Sequence, residues 1–317
     1  MHRRAIQVLG CPECGLPFLG SSLLSETIDV GILRCSQAHE FEIADGVPLL
    51  VRESERPRLL AFADSYGPVW AKDGWGGSDR EYLRSLPYHD TTHRRVAEWK
   101  VKARSMDALL RFLDPQKWPR VVDLGCGMGW LSHHLAVRGH EVYAIDVVLD
   151  GTVGLGAAGT YVRMGPAFER VWAGLHRLPF LSSSVDVVVC NASLHYASDL
   201  GISLGEIARI LRPGGLVAIL NSPVHSRGSS TVRAQSDFRT HLRALGATDD
   251  VMSVYHHFTR SELEAGLRTA VGPVNEIRFD PGRWFRWSRR VKGLVLQMEL
   301  ASFPILTATK AARPPIA

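Results

Sequence analysis

The string Val121-Val122-Asp123-Leu124-Gly125-Cys126-Gly127-Met128-Gly129-Trp130 constrains this chain more than any other part of it. An apolar run that passes directly into alternate glycines reads as a buried strand feeding a tight loop, with a helix opening behind it. Glycines at that spacing let a ligand meet bare backbone, and the helix start supplies unpaired N–H groups. The dinucleotide fingerprint sets its third glycine one residue later, where Trp130 stands, which argues against a nicotinamide cofactor. After one helix and one strand comes Glu141-Val142-Tyr143-Ala144-Ile145-Asp146, which puts a carboxylate at a strand end, where it can accept both hydroxyls of a ribose.

The surrounding pattern fits an α/β fold. Apolar runs at 121–124, 142–147, 185–190 and 216–221 alternate with helical patterns at 129–138 and 204–211, which predicts a Rossmann-like parallel sheet with helices on both faces. A lead-in helix is expected over 94–113, and later helices over 231–245 and from Thr259, where Glu262 completes a capping-box spacing. Strand candidates at 274–279 and 303–309 could close the sheet edge. Residues 58–90 mix aromatics and glycines, and a lid or loop with short helices is expected there. The domain reading is 1–54, 55–115 and 116–317.

Residues 1–54 have few large apolar side chains, so they need a staple. Cys11-x-x-Cys14 and Cys35-x-x-x-His39 bracket 20 residues, a Cys3His set suited to tetrahedral zinc with no position left open for water. Such an ion cannot activate a substrate, so the module is structural or serves recognition, and its folding should depend on the metal. Cys126 and Cys190 lie in apolar, strand-like contexts, and five cysteines in all argue against a disulfide framework.

Hydrophobic residues make up 45% and charged residues 22%, which excludes disordered and fibrous classes. No apolar run reaches the length of a membrane span or a signal peptide, so a cytoplasmic protein is expected. The net charge of +5 permits nucleic acid without requiring it. The oligomeric state is not encoded in any motif.

The glycine loop and Asp146 resemble those of the class I S-adenosylmethionine-dependent methyltransferases. The resemblance covers roughly residues 95–223 and extends to Leu178-Pro179-Phe180, Ser184-Val185-Asp186-Val187-Val188, Asn191-Ala192-Ser193-Leu194-His195-Tyr196 and Leu211-Arg212-Pro213-Gly214-Gly215. It implies that Asp123 and the backbone of Gly125, Cys126, Gly127 and Gly129 hold the amino-acid end of the cofactor, and Asp146 the ribose. Gly174 and Leu175 would contact the adenine, and Asn191 is a further cofactor-binding residue. Many relatives carry an acid where Gly174 stands, so adenine recognition departs from the family pattern.

Cys35-Ser36-Gln37-Ala38-His39-Glu40-Phe41 with Asp45-Gly46-Val47-Pro48 resembles the zinc finger of a bacterial ribosomal RNA guanine methyltransferase and the zinc-ribbon partner that activates several methyltransferases. The layout as a whole, with Leu86-Pro87-Tyr88, is similar to bacterial methyltransferases with a fused ribbon.

A hydroxyl acceptor needs a base, and His195, Tyr88 and His89 are the candidates, with His225 as an alternative. Between Phe279 and Phe303, Trp284, Trp287 and four arginines read as an amphipathic cover over the sheet, or as a substrate-side wall. The favoured function is methyl transfer to oxygen or nitrogen of a small-molecule or glycan-type acceptor. A ribosomal or transfer RNA methyltransferase and a non-catalytic scaffold of the same fold are the alternatives.

Overall fold

Burial alternates along the strand Glu40–Ala44 and is continuous along strands such as Val185–Asn191, and this difference separates a small one-faced sheet from a larger one covered on both faces. The computed structural model describes residues 1–19 and 26–311. β1 (Gly31–Arg34), β2 (Glu40–Ala44) and β3 (Val47–Pro48) form an antiparallel sheet with Leu33, Phe41 and Ile43 turned inward. Asp45 and Gly46, both at positive φ, make the two-residue turn between β2 and β3. These strands share a core with the larger sheet. Ile6, Leu9, Leu33 and Ile43 belong to one buried cluster with Tyr143, Val171 and Phe180.

Where a loop with short helices was expected, α1 (Arg56–Lys72) runs for 17 residues. Phe62, Tyr66 and Trp70 recur every fourth position and pack ring to ring at 5.2 and 5.5 Å, a helical stripe hidden by the mixed residues between them. α2 (Arg80–Ser85) follows, and then α3 (Val96–Phe112), which lies within the predicted lead-in helix.

The main body continues as β4 (Arg120–Leu124), α4 (Trp130–Val137), β5 (Glu141–Asp146), α5 (Leu155–Met164), β6 (Glu169–Trp172), β7 (Val185–Asn191), α6 (Leu200–Ile210) and β8 (Leu211–Leu220). Then come β9 (Val224–His225), α7 (Gly228–Ala244), α8 (Asp249–Val254), β10 (Phe258–Thr259), α9 (Arg260–Ala270), β11 (Val274–Ile277), α10 (Arg283–Leu296) and β12 (Ile305–Thr309). The predicted capping box of Thr259 and Glu262 is formed at the start of α9.

Seven strands make one sheet in the order β11-β12-β8-β7-β4-β5-β6, in which β12 alone pairs antiparallel to its neighbours. The chain proceeds from β4 to β5 and β6 on one side, then returns to β7 and β8 on the other. Ligands bind beyond the strand ends at such a reversal.

β6 was not expected from the sequence, because two of its four residues are charged. Both are buried and partnered by the N-terminal part of the chain or by α5: Glu169 accepts from the His2 amide at 3.0 Å, and Arg170 donates to Asp45 O at 2.6 Å and Leu155 O at 3.2 Å. The charged residues of this strand are thus satisfied by elements far from them in sequence.

Candidate functional site

The glycine loop is fixed against β5 by the Gly125 and Cys126 amides, which donate to Ile145 O at 2.8 and 2.9 Å. All three glycines have positive φ, for different reasons. A Cβ on Gly125 would overlap Ser193 Cβ, and one on Gly129 would lie 2.8 Å from Ala158 Cβ. At Gly127 the nearest atom would be Val153 O at 3.5 Å, an ordinary contact, and this residue lines the cavities described below. Two glycines therefore allow the loop to pack, and the middle one leaves its backbone accessible.

Asp146 sits at the end of β5 with both oxygens engaged. Oδ2 accepts from the Gly127 amide at 2.7 Å and Oδ1 from the Val148 amide at 2.8 Å. Burial pushes its carboxyl up to about 6 against the lowering effect of these amides. It lines a cavity with Leu59, Phe62, Val147, Gly174 and Leu175. Leu59 Cδ1 would stand 3.2 Å from a Cβ at Gly174, so an aliphatic side chain of α1 occupies the space where the family pattern has an acid. Glu55 and Asp250 bring carboxylates to the same cavity from other elements. Apolar walls, an accessible loop backbone and a carboxylate at the strand end, with two further acidic residues at the lining, fit an adenosine with an amino-acid tail.

Asp123 stands behind the loop and lines neither cavity. Its Oδ2 accepts from Ser132 Oγ at 2.7 Å, and burial, with the nearby Asp146 charge adding to it, pushes its carboxyl up to about 7. Its Oδ1 has no partner among the described residues. Cys126 and Asn191 line a second cavity, where Asn191 Oδ1 accepts from Asn221 Nδ2 at 2.8 Å.

This second cavity, of about 380 Å³, adjoins the first, and Tyr66, Gly125, Gly127 and Ala192 line both. Its walls are aromatic: Trp70, Trp75, Trp99, Trp130, Phe238 and Tyr255. Polar side chains are set among them, Glu98, Lys102, Asn191, His195, Asn221, His257 and Arg289, and a mainly apolar wall with placed polar groups is usual of small-molecule sites. His195 is buried there, with Nδ1 3.3 Å from Ser222 Oγ. Burial, reinforced by His257 and Lys102, holds its imidazole well below the usual histidine range, hence neutral. The Lys102 ammonium lies 5.1 Å from the Trp75 ring centroid and 5.9 Å from that of Trp99, and burial brings it down to about 8 against the pull of Glu98.

Of the predicted bases, the structure brings only His195 to this cavity. Tyr88 is 57% exposed and donates to Asp107 Oδ1 at 2.7 Å, and His89 is exposed beside it. Neither lines either cavity. His225 is linked to the site indirectly: its Nε2 lies 2.8 Å from His257 Nδ1, whose Nε2 lies 2.9 Å from the Tyr255 hydroxyl. Lys102, Tyr255 and His257 were missed by sequence reasoning. No local motif marks them, because each is an ordinary helix or loop residue until the fold turns it inward.

The predicted metal ligands converge. The donor atoms of Cys11, Cys14, Cys35 and His39 all lie within 4.8 Å of one another. Cys14 Sγ is 3.7 Å from Cys35 Sγ, and His39 Nδ1 is 3.7 Å from Cys11 Sγ and 3.4 Å from Cys35 Sγ. Tetrahedral zinc with ordinary bond lengths requires edges of about 3.4 to 3.8 Å, so the four residues fit that ion.

Residues 122–219 match a family described as a methyltransferase domain. A malonyl-[acyl-carrier protein] O-methyltransferase of Enterobacter lignolyticus is 32% identical over 119 residues, which are 38% of this chain and 45% of that protein. The chain spans less than half the length of that relative. A geranyl diphosphate methyltransferase solved with GPP and sinefungin is similar in fold at a TM-score of 0.55 and 16% identity, covering 80% of this chain and 100% of that one. The YcgJ protein of Bacillus subtilis is similar at a TM-score of 0.50 and 16% identity, covering 67% and 100%. Sheet order, glycine loop and family match together show that residues 122–219 lie in a methyltransferase domain with a Rossmann-like α/β fold.

Proposed function

We propose that this protein transfers a methyl group from S-adenosylmethionine to an oxygen or nitrogen of a small acceptor with an apolar body. The observation that carries the reading is that two cavities of different character meet at Gly125, Gly127 and Ala192. One suits a nucleoside and the other an aromatic-bound acceptor. When bound, the cofactor supplies an electrophilic methyl on sulfur, and the protein's share of catalysis is alignment.

In this reading Asp146 accepts the ribose hydroxyls, the Gly125–Gly129 backbone faces the amino-acid end, and Leu59 and Leu175 flank the adenine beside Gly174. Glu55 or Asp250 receives the adenine amino group in place of the missing acid. His195, neutral and facing the acceptor, takes the proton of a hydroxyl nucleophile. Lys102 pairs with an anionic group of the acceptor. Cys11, Cys14, Cys35 and His39 hold a structural zinc in the 1–54 ribbon, ahead of the 55–115 lead-in and the 116–317 catalytic part. The similarity to O-methyltransferases acting on a malonyl group supports oxygen as the acceptor atom.

The test is calorimetric titration of the zinc-loaded protein with S-adenosylmethionine and S-adenosylhomocysteine, followed by a labelled-methyl screen of small acceptors and RNA. Binding followed by transfer to a small acceptor is the expected result. Transfer to RNA with steep salt dependence replaces it by the RNA reading. A folded protein that binds neither ligand is a scaffold.

A further inference from the structure

α10 buries none of its residues, although half of its 14 side chains are apolar. The expected cover over the sheet is therefore not what forms. Trp284, Leu294 and Val295 are 72%, 79% and 75% exposed, and Trp287 and Val291 also face solvent. At 3.6 residues per turn these five fall within an arc of about 100°. The Trp284 and Trp287 rings lie together, centroids 4.9 Å apart. The helix carries Arg283, Arg286, Arg289, Arg290 and Lys292 and no acid. By the same geometry Arg283 and Arg290 border the apolar stripe on one side and Lys292 on the other.

The opposite face of α10 belongs to the second cavity. Phe285 and Arg289 line it with Ala301 and Phe303. The Arg289 guanidinium lies over the Phe285 and Phe303 rings at 5.4 and 5.5 Å and donates to Ala301 O. Among the described residues no carboxylate pairs with it.

We propose that α10 is an interfacial helix that seats the protein on an anionic lipid bilayer, with the cavity's α10 side turned toward the membrane. Charge decides among the possible occupants. Arg286 is paired with Asp280 and Arg289 faces the cavity, but pairing the stripe with that of a second copy would still bring Arg283, Arg290 and Lys292 of each against the other, whereas anionic headgroups neutralise them. The paired indoles suit the headgroup boundary, and the aliphatic Leu294 and Val295 suit the acyl layer just beneath it. No helix among the described residues is long and apolar enough to cross a membrane, so the attachment is peripheral. A consequence, which rests on the methyl-transfer reading, is that the acceptor is a membrane-borne amphiphile entering past Phe285 and Arg289. The attachment itself does not depend on that reading.

The experiment is co-sedimentation of the full-length protein with vesicles of phosphatidylcholine alone and of phosphatidylcholine mixed with phosphatidylglycerol. Binding to the anionic vesicles should exceed binding to the neutral ones by roughly tenfold or more and weaken with salt. Trp284→Ser/Trp287→Ser should reduce it by roughly tenfold or more while leaving the melting temperature and cofactor affinity unchanged. The proposal is overturned if the folded protein fails to sediment with anionic vesicles, or if the double variant sediments as well as the parent. It is equally overturned if the stripe instead mediates self-association, or binding to an acidic carrier protein, that the variant abolishes without vesicles.

Discussion

The Asp146 carboxylate accepts the Gly127 amide at 2.7 Å, tying the last residue of β5 to the middle of the glycine loop. One side chain thus shapes the loop and presents a charge to the cavity that the loop borders. Replacing it tests both roles. Asp146→Ala should weaken S-adenosylmethionine binding about 10- to 100-fold in calorimetry, the range expected for lost hydrogen bonds to a charged group. Unchanged affinity would remove the ribose assignment.

The same residue sets a pH dependence. Its carboxyl is raised to about 6 by burial, above the unfolded value, so its contribution to stability is full at low pH and declines as pH rises through that value. Cofactor affinity runs the other way, because ribose hydroxyls donate best to the ionised form. Dissociation constants measured from about pH 5 to pH 8 should fall through the region near 6 and then level off, and Asp146→Asn should flatten the profile.

The glycines separate packing from binding. Gly125→Ala places a Cβ into Ser193 and should lower stability by about 2 kcal/mol or more, read as a drop in melting temperature. Gly127→Ala meets no atom nearer than 3.5 Å. It should cost about 1–2 kcal/mol for its positive φ and lose cofactor affinity out of proportion to that. Equal effects of the two substitutions on binding would contradict the division of roles.

Metal removal should act on the whole molecule. Elemental analysis should find one zinc per chain, lost in Cys14→Ser/Cys35→Ser. Because Ile6 and Leu9 share a buried cluster with Tyr143 and Phe180, chelation should shift the main melting transition downward. A separate low-temperature transition for residues 1–54 would mean that this shared packing carries no cooperativity.

If His195 is the base for a hydroxyl acceptor, His195→Ala should reduce kcat by about 10²- to 10⁴-fold with little change in cofactor affinity. A comparable loss in His257→Ala with His195 intact would shift the proton to the Tyr255, His257 and His225 chain.

What the sequence by itself determined was local: the strand, loop and helix at 120–137, the acid closing β5, the Asp45-Gly46 turn, the capping box at Thr259, and the spacing that brings Cys11 to Cys14 and Cys35 to His39. Positive φ, capping and short ligand loops depend on neighbouring residues, so they are written in consecutive letters. The tertiary structure decided what depends on distant ones. It placed His195 in the second cavity and left Tyr88 and His89 outside it. It brought in Lys102, His257, Phe285 and Phe303 from segments some 200 residues apart, satisfied the charges of β6 from the N-terminal module and α5, and left the stripe of α10 bare. A cavity wall is assembled by burial of noncontiguous faces, and no run of residues records which side chains will share it.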